Sequence, residues 1–146
     1  MIAVDTDVLS IYHVFTWDKR HTLCKRFLRS LKEGAVSIHN LLELCSIIAR
    51  ASNASTAMAV YRYYLSSPRW HVLFPNMPSG WPEYLKVILD KYIVERGFSY
   101  GDALVAWALE EFPELEAFVT WDVKDFRGKL QLPVYTPEEW LRKMKS

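Results

Sequence analysis

Two cysteines, Cys24 and Cys45, and four scattered histidines, His13, His21, His39 and His71, are too few and too isolated for a structural zinc site or a disulfide framework in this 146-residue chain. Both cysteines are expected as small buried hydrophobes. No apolar run approaches the ~20 residues needed to cross a bilayer. The opening MIAVDTD also has neither the basic nor the apolar region of a signal peptide. These absences point away from the membrane and toward a cytoplasmic protein. Charge of one sign is missing as well: eighteen Lys and Arg stand against seventeen Asp and Glu, a formal +1. Global charge therefore marks neither a nucleic-acid binder nor an acidic tail. The local distribution is less even, with nine basic and five acidic residues in 1–75 and nine and twelve in 76–146.

Bulky packing groups are plentiful: six Trp, seven Phe and eight Tyr. The length fits a single domain, residues 1–146, with material for a substantial core. Short β-prone runs, MIAV, AVS, WHVLF, AFVT and LQLPVY, recur between segments of helical periodicity such as IHNLLELCSIIAR. Asn53 is placed to cap a helix that Pro68 ends, and Ser99 and Asp102 have the spacing of a capping box. Thr136, Pro137 and Glu139 announce the last helix, and Pro82 opens one running to Gly97 behind the loop PNMPSGWP. Strands alternating with helices predict an α/β domain with a mainly parallel sheet.

In such a sheet the carboxyl ends of the strands face one crevice. Asp5 and Asp7 follow the first strand, and Asp122 and Asp125 follow AFVT, so acids more than a hundred positions apart can meet there. Glu43, inside an apolar helix, either snorkels outward or points into a site that compensates its charge. Asp102 is a site candidate or simply the acid of a capped helix start. Carboxylates converging without basic partners are normally kept ionised by a hard cation, for which Asp and Glu suffice without His or Cys.

The order MIAVDTDVLS, AVSIHNLLEL, SYGDALVAWAL and FVTWDVKDF resembles the four motifs of the PIN-domain family, in particular the small ribonuclease toxins of bacterial and archaeal toxin-antitoxin pairs. The likeness covers nearly the whole chain. It implies a PIN-like three-layer α/β/α sandwich and cleavage of RNA assisted by Mg2+ or Mn2+. Homodimerisation and control by a small antitoxin protein are implied as well. Carried over motif by motif, Asp5, Glu43, Asp102 and Asp122 are the catalytic and metal-holding acids, with Asp125 an outer candidate. Asp7, Ser37 and Thr120 are supporting groups. Ser37 and Thr120 have a plainer reading as strand-end caps. Asp7 departs from the Asn or Ser of many relatives and makes the site more anionic. The opening IAVDTDVL also resembles phosphatases with an aspartyl nucleophile, but GDAL precedes FVT and no late acidic pair follows Asp125. A catalytically silent binding module is a further alternative.

An anionic pit acting on an anionic substrate needs a basic rim. Lys19, Arg20, Lys25, Arg26 and Arg29 follow the first acids, and Arg127 and Lys129 follow the last. The plain alternative is a solvated helix face. Asn40 either hydrogen-bonds near Glu43 or faces solvent. Tyr61, Tyr63, Tyr64 and Trp70 could stack bases or fill a subunit interface. Trp81, Trp107, Trp121 and Trp140 are assigned to core and dimer surfaces.

Overall fold

Side chains alternate between two faces along a strand, so a strand buried on both faces is apolar throughout. The strands of this chain are of that kind, apart from Ser37 at a strand end and exposed His71 on an edge strand. In the computed structural model, which describes residues 1–145, they are β1 (Ile2–Val4), β2 (Gly34–Ser37), β3 (Trp70–Leu73), β4 (Ala117–Val119) and β5 (Val134–Tyr135). All pairings are parallel, in the order β3-β2-β1-β4-β5. Ile2 stands between Gly34 and Ala117, and Val4 pairs with Val119, which fixes where the chain leaves the central strands.

The faces separate by the two-residue period. Ile2, Val4, Val36, Ala117 and Val119 join one core with α1 (Thr6–His13), α2 (His21–Ser30), α3 (Ile38–Ala51), α4 (Ala54–Ser66) and Trp140 of α8 (Pro137–Met144). Ala3, Ala35 and Phe118 join the other, beneath α6 (Tyr100–Glu110), the π-helical stretch Lys86–Glu95 and Phe126 of α7 (Val123–Phe126). Short α5 (Trp81–Leu85) leads into the π-helical stretch. The result is a three-layer α/β/α sandwich with every strand parallel.

Local signals behave as expected at most helix ends. Asn53 Oδ1 accepts from the Thr56 amide, and Thr136 and Glu139 form a full capping box. Ser99 caps α6 by accepting from the Asp102 amide at 3.3 Å. The helix expected from Pro82 to Gly97 winds as π from Lys86 onward. It stops at Gly97, whose φ of 75° lets the amides of Gly97 and Phe98 return to the carbonyls of Ile93 and Tyr92. One strand is shorter than the sequence predicts, LQLPVY contributing only Val134 and Tyr135 to the sheet, and residues 123–126, to which the sequence assigns no element, coil into α7. Among the described residues no helix is long and apolar enough to cross a membrane.

Candidate active site

Asp5 leaves β1 with an extended backbone and caps α1, its Oδ1 accepting from the Thr6 amide at 2.8 Å. Thr120 leaves the neighbouring β4, and its hydroxyl lies 2.8 Å from Asp5 Oδ2 and 3.1 Å from Asp7 Oδ2. One hydroxyl proton is thus shared between two carboxylates. The same oxygen accepts from the Asp122 amide at 3.0 Å, and the Trp121 amide donates to Asp7 Oδ2 at 2.9 Å. The β4–α7 turn is thereby tied to the first acidic segment through its main chain. Its side chains hold it too: Trp121 Nε1 donates to Cys24 Sγ at 3.3 Å, and the Arg20 guanidinium lies 5.4 Å from the Trp121 ring centre.

Behind Asp5 stands Asn40, which is 1% exposed. Its amide Nδ2 donates to Asp5 Oδ1 and to Thr6 Oγ1, each at 2.9 Å. Sequence reasoning left Asn40 near Glu43 or in solvent; the first turn of α3 instead points it inward at Asp5. A polar residue in an otherwise apolar helix, three positions after a capping serine, was the available signal. Ser37 caps α3 by accepting from the Asn40 amide at 3.0 Å, and its hydroxyl donates to Asn40 Oδ1 at 2.8 Å. Ser37 therefore caps α3, and its hydroxyl reaches Asp5 only through Asn40.

The other acids approach from separate elements. Burial raises the Asp5 carboxyl well above its usual range, and the charges of Asp7 and Glu43 add to that. Burial likewise pushes Asp7 up to about 6 despite its hydrogen bonds. Asp102, in the first turn of α6, is raised by burial and then by Asp125 and Glu43, against the pull of Ser99. Asp122 is raised by a hydrogen bond shared with Asp125, then by burial and by the Asp125 and Asp102 charges. Asp7, Asp5, Glu43, Asp102, Asp125 and Asp122 thus follow one another in a chain, along which the charges of Asp7 and Glu43 act on Asp5, those of Asp125 and Glu43 on Asp102, and those of Asp125 and Asp102 on Asp122. Asp125 is tied to Asp122 through the main chain, its amide donating to the Asp122 carbonyl at 3.2 Å. Glu43 itself is exposed.

These acids do not close into one ready coordination shell: among the described residues no three Asp, Glu, His or Cys groups stand at ligand spacing. The donor set still suits a hard divalent cation. It is all oxygen, neighbouring carboxylates raise Asp5 and Asp102, and buried Asp7 Oδ1 has no hydrogen-bond partner. A cation of the Mg2+ type keeps several waters and takes one or two carboxylates directly, so it can be held by a pit wider than a single shell.

The basic residues expected to form one rim occupy several settings. Arg20 is paired with Asp18 through two hydrogen bonds. Arg127 donates to Glu139 and to the Val134 carbonyl, and Lys129 donates to the Gly97 carbonyl. Lys25 and Arg29 line a cavity of 320 Å³ with Tyr12, His13, Tyr63 and Tyr64. Arg26 faces a smaller hollow between α2 and α8, and Lys19 is exposed. Of the aromatic group, Tyr64 and Trp70 are buried against each other, ring centres 5.0 Å apart, with Tyr64 bonded to His13; only Tyr63 is exposed. Trp107 and Trp140 are core, whereas Trp81 is 74% exposed. Cys24 is buried and Cys45 partly so, both as free thiols.

No protein-family model matches the sequence, and no curated protein is significantly similar to it. Solved structures are similar in fold. A toxin-antitoxin complex from Klebsiella pneumoniae superposes with a TM-score of 0.62 at 19% identity, covering 94% of this chain and 98% of that one. VapBC-1 from nontypeable Haemophilus influenzae gives 0.62 at 20%, covering 94% and 99%. The sarcin-ricin-loop-cleaving toxin VapC20 of Mycobacterium tuberculosis gives 0.57 at 22%, covering 89% and 92%. The strand order, the all-parallel sheet and these superpositions together give the chain the PIN-like α/β/α fold of toxins from toxin-antitoxin systems.

Proposed function

We propose that this protein is a metal-dependent endoribonuclease, the toxin of a toxin-antitoxin pair acting in the cytoplasm. The observation that carries this reading is the chain of carboxylates at the carboxyl edge of the sheet, with Asp5 and Asp7 sharing the Thr120 hydroxyl. Asp5, Glu43, Asp102 and Asp122 would hold Mg2+ or Mn2+, directly or through water, and Asp125 would act beside Asp122. When bound, the cation supplies an acidified water and neutralises charge growing on the scissile phosphate. The protein's own part is orientation. Thr120 and Asn40 hold the two oxygens of Asp5, while the Trp121 amide holds Asp7. Lys129, whose charge offsets a small part of the rise at Asp102, would help draw a phosphate toward the pit.

Two partners belong to this reading. A small antitoxin is supported by the fold shared with chains solved in toxin-antitoxin complexes. A second copy of the chain is supported by Trp81, Leu85 and Leu89, exposed at four-residue intervals along α5 and the π-helical stretch. The spread of the acids favours one other reading, a silent binding module. One experiment separates the two: RNA cleavage with Mn2+ or with chelator, in wild type and in Asp5→Asn and Asp102→Asn. The nuclease should lose cleavage with chelator and in both variants. Cleavage that survives chelation refutes the metal mechanism, and no cleavage of any RNA alongside intact Mn2+ binding favours the module.

A further inference from the structure

We propose that Asn40 is a positioning residue for Asp5, a neutral clamp that sets the direction of its carboxylate toward the divalent cation; the inference rests on the nuclease reading above. Every polar atom of its side chain is used. Both Nδ2 hydrogens are spent, on Asp5 Oδ1 and Thr6 Oγ1, and Oδ1 takes the Ser37 hydroxyl proton. The loop closes through the backbone, because Asn40 N donates to Ser37 Oγ and Thr6 Oγ1 donates to the Asn40 carbonyl at 3.2 Å. The amide cannot turn over without setting its oxygen against the Asp5 carboxylate. Asp5 thus fixes which end of Asn40 meets it, and Ser37 steadies the other end by donating to Oδ1.

Asp5 is consequently held from three elements: the first amide of α1, Asn40 of α3 and Thr120 at the end of β4. A neutral donor suits that task. It favours the carboxylate form without bringing a positive charge that would compete with a cation, as Lys or Arg at the same position would. It also draws α3 against α1, and Glu43 lies one turn further along the same helix. Successive turns of α3 therefore present a buried clamp, Asn40, and an exposed acid, Glu43. Removing such supporting bonds typically costs about 10–100-fold in metal affinity or activity.

The test uses the full-length protein with Asn40→Asp, which keeps the shape but turns the donor into an acceptor, and Ser37→Ala, which frees the amide without touching Asp5. Thermal melting reports the fold, calorimetry reports Mn2+ binding, and RNA cleavage gives kcat and KM separately. Asn40→Asp should lower Mn2+ affinity and kcat by about 10–100-fold with KM for RNA nearly unchanged. Ser37→Ala should lose less in the same two quantities. If Asn40→Asp unfolds, Ser37→Ala alone decides: a lower kcat and weaker Mn2+ binding support the clamp. A fall in melting temperature without either change assigns both residues to packing and overturns it. Asp5→Asn separates the inference from its premise. Mn2+ binding that survives Asp5→Asn sinks the nuclease reading, whereas Mn2+ binding lost there but intact in Asn40→Asp sinks only the role of Asn40.

Discussion

Thr120 is the smallest group on which the site depends. Its buried hydroxyl faces two carboxylates and accepts the amide that opens the β4–α7 turn. Thr120→Val keeps the shape and removes all three bonds. It should cost about 1–3 kcal/mol of stability, the range for leaving buried polar groups unpaired. Thr120→Ser should stay close to wild type; equal losses in urea titrations of the two would show that the methyl group matters as much as the hydroxyl. The acids beneath it set a pH dependence. Asp5 and Asp7 titrate higher in the folded chain than in the unfolded one. Their contribution is complete below the unfolded value of 3.8 and is lost as pH rises through the folded value, about 6 for Asp7. For Asp7 that loss is at most on the order of 3 kcal/mol. In chelator, Asp7→Asn should therefore gain stability over wild type between pH 4 and 7, and saturating Mn2+ should shrink the difference. A flat difference curve would show that Asp7 is not strained by burial.

Elements meet at tolerances that single atoms can violate. Gly34 opens β2 directly over the Trp70 ring of β3, and a Cβ at that position would come within 2.6 Å of it. Trp70 cannot retreat easily, since it packs edge-on against buried Tyr64 of α4. Gly34→Ala should cost about 1–3 kcal/mol by overpacking. A denaturation midpoint equal to wild type would mean the ring has room to move. On the opposite face, Arg96 and Glu110 pair through two hydrogen bonds while Tyr92 also donates to Glu110, which joins the π-helical stretch to α6. That tie sits at the far end of α6 from Asp102, so it holds the angle at which the helix start meets the pit.

At the scale of the whole molecule, sheet and helices bury two separate cores, and part of what remains apolar outside lies along α5 and the stretches flanking it. Met77 and Trp81 are 84% and 74% exposed, with Leu85 and Leu89 on the same stripe as Trp81. An apolar stripe of this kind is the usual sign of a missing partner surface. Trp81→Glu should shift the proposed dimer to monomer in light scattering while leaving the melting transition within a few degrees of wild type. If wild type is monomeric at micromolar concentration, the stripe serves another partner.

The residue order alone determined the alternation of helix and strand, because periodicity, caps and prolines are local. It also determined that Asp5 and Asp122 closely follow strands, with Asp7 and Asp125 just behind them, since apolar runs stop where they begin. Parallel pairing of β1 with β4 then brought them together across the whole chain length. Tertiary structure decided the rest. Asn40 faces Asp5 because α3 packs against α1, a fact no window of sequence contains. The basic residues of α2 scatter because a helix distributes its side chains around an axis whose rotation is set by Phe27, Leu28 and Cys24 in the core. Asp125 turns back toward Asp122 because residues 123–126 coil into a single helical turn, in which the Asp125 amide donates to the Asp122 carbonyl and Phe126 packs against Phe118, a contact made by the fold and not by the spacing.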